Sequence, residues 1–233
     1  MCRHVPVAVL VCACSALARP ALAAPAGYNV SWDDCGLAGS VNQIFACDTN
    51  AGSHLLVASF IAPPGIDSLI AIFADLEFRP GSGILPNWWS LASAGDCRAG
   101  SLTAQFDFSG RSACIDYWAT HAIGGINISP QPNLLVLRVG VALDDVHRGR
   151  PLVAGTEYYA FGIAVDNAKT AGADYCPGCQ GNGEFVVVDR FSLVTWNLMF
   201  YDLPVSSRNR VIWQSDPLPA HNRTWGAVKS LYH

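Results

Sequence analysis

SLTAQFDF, residues 101–108, carries the period that decides the fold. Leu102, Ala104, Phe106 and Phe108 share one face of an extended chain, and Thr103, Gln105 and Asp107 share the other. Apolar side chains two residues apart line one face of a strand, whereas a helix would need them three or four apart.

Similar short apolar runs, broken by Gly, Pro, Asn and Asp, fill the rest of the chain. They are LLVASFIA (55–62), SLIAIFADLEF (68–78), GGINIS (124–129), EYYAFGIAV (157–165) and RVIWQ (210–214). LLVLRVGVAL (134–143) alternates less clearly, which predicts a strand covered on both sides. EFVVVDRFSLVTWNLMFYDL (184–203) is too long for one strand and predicts a turn near Arg190 or Thr195. Many short strands with almost no helix predict an all-β fold, an antiparallel β-sandwich or jelly roll. PGSGILP (80–86) and Ser206 to Arg210 read as turns, and no repeat or linker divides the chain. One domain is expected over residues 24–215.

The first residues, MCRHVPVAVLVCACSALARPALAAPAG, have a basic start at Arg3 and His4, an apolar run from Val5 to Leu17, and small residues at Ala21-Leu22-Ala23. That pattern predicts a signal peptide over 1–23. A lipoprotein signal ending at Cys14 is the rival reading. The apolar run is shorter than the roughly 20 residues needed to span a bilayer, and no later segment reads as transmembrane. Without Arg3 and Arg19, 12 basic residues face 18 acidic ones, a formal charge of −6. Lys169 and Lys229 are the only lysines. An acidic chain of this kind does not suit nucleic acid or anionic lipid. With 51% hydrophobic residues, a substantial core is expected.

Export would also remove Cys2, Cys12 and Cys14, leaving Cys35, Cys47, Cys97, Cys114, Cys176 and Cys179. Six cysteines in an exported chain predict a disulfide framework. Local pairs are the simplest expectation: Cys35–Cys47, Cys97–Cys114 and Cys176–Cys179. The stretch CPGCQGNG (176–183) leaves two other readings open. Its C-x-x-C-x-G-x-G spacing resembles the zinc repeat of DnaJ-type chaperones, but those carry four such repeats and this chain has one, while a tetrahedral site needs four ligands. A redox C-x-x-C needs a helix starting at the first cysteine, and the Gly and Asn that follow oppose one.

Trp88 and Trp89, in LPNWWS, and Trp118 are the possible ligand contacts. Aromatic faces on a sandwich can stack against a glycan ring. The plainer reading puts Trp88 and Trp89 on opposite faces of a strand, one in the core and one over a sheet edge. Asp33-Asp34, Asp144-Asp145 and DTNAG (48–52) have oxygen ligands suited to calcium but lack the loop pattern of a calcium hand. No G-x-S-x-G or H-E-x-x-H motif occurs, so no catalytic, metal or cofactor residue is assigned. A hydrolase built from scattered Asp and from His54, His121, His147 or His221 stays as a third reading. Asn29, Asn127 and Asn222 head N-x-[ST] sequons.

The tail, 216–233, predicts a short C-terminal helix. Asn222 or Thr224 can cap it, and Trp225, Val228 and Leu231 or Tyr232 recur at helical spacing. Such a helix either plugs the sandwich or serves as an export address.

SWDDCG (31–36), FACDTNAG (45–52), LPNWW (85–89), GTEYYAFGI (155–163) and TWGAVKSLYH (224–233) together resemble an uncharacterised group of exported bacterial proteins. The resemblance implies export and one shared fold, and it transfers no catalytic residue. The sequence therefore leads to an exported, disulfide-stabilised binding or structural module, periplasmic, cell-surface or extracellular, with a glycan or cell-surface partner as the alternative.

Overall fold

Each run read as a strand contains one, although in SLTAQFDF only Leu102–Gln105 is strand and Phe106–Phe108 leave the sheet. The computed structural model describes residues 25–144 and 149–215; the signal peptide and tail helix expected from the sequence lie outside the described residues. The strands are β1 (Gly27–Trp32), β2 (Asn42–Gln43), β3 (Ser53–Ile61), β4 (Leu69–Pro80), β5 (Leu102–Gln105) and β6 (Ile115–Asp116). They continue as β7 (Ala122–Pro130), β8 (Leu135–Leu143), β9 (Glu157–Asp166), β10 (Gly183–Thr195), β11 (Phe200–Asp202) and β12 (Arg210–Trp213). The long 184–203 run turns after Thr195, as its length requires.

Two sheets form a sandwich. The smaller has the order β1-β3-β9-β5, with β6 also beside β9; the larger has the order β2-β12-β10-β4-β8-β7, with β11 beside β10. The pairings are antiparallel except β12 with β2 and β6 with β9. Tyr28 of β1 stacks on Phe191 of β10 with centroids 4.9 Å apart, which shows the two inner faces in contact. At one end an aromatic cluster fills the sandwich: Trp32 lies 5.6 Å from Phe185, and Trp88 lies 4.9 Å from Trp213. Burying such rings is the main apolar contribution to a core of this size.

Three expectations are corrected. β8 alternates cleanly, with Leu135, Leu137, Val139 and Val141 buried and Arg138 exposed, so it is covered on one side only. Trp88 and Trp89 sit on a 3-10 turn, Asn87–Trp89, and both are fully buried. A turn, unlike a strand, can aim neighbouring side chains into the same core.

The third correction is the disulfide pairing, which is Cys35–Cys114, Cys47–Cys179 and Cys97–Cys176, with Cα atoms 6.3, 5.8 and 6.0 Å apart. Local pairing fails because the layers separate sequence neighbours. Cys35 follows β1 of the smaller sheet, whereas Cys47 follows β2 of the larger. Likewise β5 runs between Cys97 and Cys114. The C-x-x-C loop does carry disulfides, but each cysteine reaches a different distant segment. Gly178 lets that loop approach closely: its φ is +109°, and a Cβ there would lie 2.3 Å from Pro86.

Candidate functional site

The residues singled out in the sequence are mostly structural. Trp88, Trp89 and Trp118 have no exposed surface, so none offers a ring face to a sugar. Trp88 donates its indole N–H to Thr170 Oγ1 at 3.0 Å, and Trp118 to the Ala160 carbonyl at 2.7 Å. Both sulfurs of CPGC are held in disulfides. His54 lies 2.6 Å from Gln43 Nε2, and burial lowers the pKa of its imidazole against the opposing pull of Asp33. His121 Nδ1 stands 3.9 Å from Asp144 Oδ2, beyond hydrogen-bond reach; His147 and His221 lie outside the described residues. In DTNAG, Asn50 Oδ1 accepts the backbone N–H groups of Thr170 and Ala171, both at 2.8 Å, so the turn locks one loop to another. Of the sequons, Asn29 is buried and Asn127 exposed, while Asn222 lies outside the described residues.

The outer face of the smaller sheet is closed. Its polar side chains Asn29, Ser31 and Ser59 are buried, each with a partner. Glu157 Oε1 accepts from Asn29 Nδ2 at 2.8 Å and from the Ser59 hydroxyl at 2.6 Å, and Asn29 Oδ1 accepts from Ser207. Phe108 lies flat on Tyr159, ring centroids 4.5 Å apart, and the Tyr159 hydroxyl donates to Asp34 Oδ1 at 2.5 Å. Burial, aided by that bond, pushes the Tyr159 phenol up to about 12. Cys35–Cys114 ties the two covering segments together above this face.

The outer face of the larger sheet is exposed along β7 and β8, at Asn127 and Arg138, and buried at Asp75 and Ser192 nearer its centre; register places its side chains in rows. Asn127, Arg138 and Asp75 make one row across β7, β8 and β4; Gly125, Gly140, Phe73 and Ser192 make the next. The pairing of β10 with β4 skips between Val187 and Phe191. This irregularity brings Arg190 Nε to 3.2 Å from Asp75 Oδ2 and its guanidinium to 5.8 Å from the Phe73 ring. Asp75 is 9% exposed, and its Oδ1 has no partner. Toward one end the charges pair on the surface, Arg79 with Glu77 and Arg210 with Glu184. Toward the other end the face turns apolar.

That apolar end is the β10–β11 hairpin. Trp196, Leu198, Met199, Phe200 and Tyr201 are exposed at 54, 69, 53, 61 and 39%. The turn is well made: Leu198 N–H donates to the Thr195 carbonyl at 2.9 Å, and Thr195 N–H to the Met199 carbonyl at 3.0 Å. Leu198 has φ +61°, in the left-handed region. The sequence carried a signal for this site, five large apolar residues around Asn197 with no alternation. A run of this kind belongs neither to a half-buried strand nor to an ordinary turn.

No family model and no curated protein matches the chain. Among solved structures it is similar to a cohesin module from a Clostridium perfringens family 33 glycoside hydrolase, at 8% identity and TM-score 0.40, over 82% of this chain and 100% of that one. It is also similar to the sixth cohesin of Acetivibrio cellulolyticus scaffoldin B, solved in complex with a dockerin, at 10% identity and TM-score 0.38, over 82% and 99% of the two chains. The second type II cohesin module of the Acetivibrio cellulolyticus adaptor scaffoldin ScaA gives 8% identity and TM-score 0.39, over 82% and 98%.

Proposed function

We propose that this chain is an exported, non-catalytic binding module that holds a protein partner on the outer face of its larger sheet, with the 196–201 hairpin as the apolar anchor. The exposed hairpin carries the reading. Large apolar side chains gathered at one place on a surface mark an interaction site, and aromatic residues with Met are the types that anchor protein interfaces. Farther along the same face Arg190 and Arg138 are exposed, which suits a polar rim around an apolar contact. Two carboxylates serve the fold: Glu157 binds Asn29 and Ser59, and Asp116 Oδ1 accepts the N–H groups of Trp118 and Ala119. Three disulfides suit an oxidising compartment and support export. Among the described residues no helix is long and apolar enough to cross a membrane.

The test places a photo-crosslinking side chain at Leu198, and separately at Ser112 on the covered side, in the organism that makes the protein. One discrete protein adduct from position 198 and none from 112 is the expected result. Equal labelling from both positions, or labelling of lipid alone from 198, would overturn the reading.

A further inference from the structure

Two sheets have four lateral edges, and three of them are blunted. Beside β1 runs the segment Pro204–Arg208: Tyr28 N–H donates to the Pro204 carbonyl at 2.9 Å, Ser206 N–H to the Tyr28 carbonyl at 2.9 Å, and Val30 N–H to the Arg208 carbonyl at 3.0 Å. The other edge of the smaller sheet has only β5, of four residues, and β6, of two. One edge of the larger sheet ends on β2, of two residues, with the three-residue β11 farther along β10. The fourth edge is β7. It has nine residues, pairs with β8 without a register shift, and has no other neighbour among the described strands.

Proteins protect long edges with charge, internal proline, bulges or a covering segment, because an open row of N–H and C=O groups templates another strand. AIGGINISP has no charged residue, no bulge, and a proline only at its last position. Its inward side is also thinly covered. Ile126 and Ile128 are half-buried, since the strand across the sandwich, β5, is short.

We propose that β7 pairs with β7 of a second copy about a two-fold axis, joining the two larger sheets into one. An antiparallel two-fold pairing keeps inner faces on the same side. Centred on Ile126, it sets Ile126 against itself and Gly124 against Ile128, so a small residue meets a large one on the inner face. On the outer face it sets Gly125 against Asn127 and Ile123 against Ser129. Charge favours this edge for self-contact. The chain has a formal charge of −4, and two copies repel over most of their surfaces, but β7 brings no charge to the axis. The contact is small. Nine residues extend about 30 Å, and a strip roughly 10 Å high covers about 300 Å² per copy, below the ~800 Å² per partner of a stable complex. The dimer is accordingly weak and concentration-dependent.

Sedimentation velocity on the disulfide-bonded protein, run from micromolar to millimolar, tests this together with hydrogen exchange at both extremes. The expected result is a monomer–dimer equilibrium in which amides of 122–130 slow at high concentration. A Cβ at Gly125 would meet nothing within 4 Å, so Gly125→Lys should keep the melting temperature while weakening dimerisation roughly tenfold or more. A monomer at every concentration, or exchange over 122–130 that ignores concentration, overturns the proposal. A dimer that survives Gly125→Lys but dissociates with Leu198→Glu overturns it too, by placing self-contact on the hairpin. Protection of β7 only on adding another protein would assign the edge to a foreign strand, against self-pairing.

Discussion

Arg98 lies over Trp88, its guanidinium carbon 3.4 Å from the ring centroid. The side chain is 1% exposed and donates to the carbonyls of Trp88 at 2.9 Å, Ala168 at 2.8 Å, and Asp166. One planar fork thus joins the turn that carries Trp88 to the loop leaving β9, beside Cys97–Cys176. Arg98→Ala leaves the buried Trp88 carbonyl without this donor, and removes the bonds to Ala168 and Asp166 and the contact with the Trp88 ring; it should cost about 3–5 kcal/mol in denaturant unfolding. Arg98→Lys keeps the charge but cannot reach all three carbonyls or stack as a plane, so it should recover only part of that loss. A Lys variant as stable as the parent would show that the charge alone matters.

The disulfide pairing predicts which thiol appears when one partner is removed. Cys176→Ala should free Cys97, identified by alkylation and mass spectrometry. Local pairing would free Cys179 instead. The closed segments are also long: 79 residues for Cys97–Cys176 and 132 for Cys47–Cys179. In the chain-entropy model each crosslink of this length stabilises by about 4–5 kcal/mol, against ~3 for loops as short as the local ones.

The longer strands from β3 onward were legible because short apolar runs bounded by Gly, Pro, Asn and Asp are a local property, whereas the two-residue β2 and β6 left no such run. Pairing between loops is not local. Nothing near Cys47 in the sequence says that Cys179 will arrive beside it; that depends on β2 and β10 belonging to the larger sheet. β1 was missed for a related reason. GYNVSW is buried throughout, with Asn29 and Ser31 satisfied by Glu157, Ser207 and Asp34, so its polar residues read as loop until those partners are in place. One of Trp88 and Trp89 was expected over a sheet edge because neighbouring side chains point to opposite faces of a strand. In a 3-10 turn they need not. The exposed β7–β8 side of the larger sheet could not be read at all, since it is defined by what fails to cover it.

Alkaline pH should separate two buried groups of opposite sign. The Tyr159 phenol titrates at about 12 in the folded protein, against 10.0 unfolded, so the native state keeps the proton longer. Its stabilisation is full below pH 10 and is lost as pH rises towards 12. Burial pulls Arg98 down to about 10 from 12.5, partly opposed by Asp166, so the unfolded state holds that proton longer, and the Arg98 contribution grows over the same interval. Tyr159→Phe removes the first contribution alone. Its stability should therefore fall less steeply between pH 10 and 12 than that of the parent, measured by urea unfolding at each pH. Parallel profiles would mean that the native state does not raise the Tyr159 pKa.

Leu198 sits at the hairpin tip with φ +61°, a conformation in which a large side chain crowds its own backbone. Asparagine tolerates the left-handed region better, and its side chain bonds locally in turns. Leu198 is 69% exposed, so replacing it forfeits little burial. Leu198→Asn should therefore stabilise the protein by about 0.5–1 kcal/mol, raising the melting temperature by roughly 2–3 °C for a chain of this size. A residue that lowers stability while facing solvent is expected where contact with a partner favours it, because strain and exposed apolar surface gather at functional sites. The same variant should lose the crosslinked partner seen from a neighbouring position such as Phe200. Gain of stability with loss of contact would link the strained leucine to binding. If Leu198→Asn destabilises the protein instead, the tip is held for the fold, and the hairpin loses its claim as the anchor.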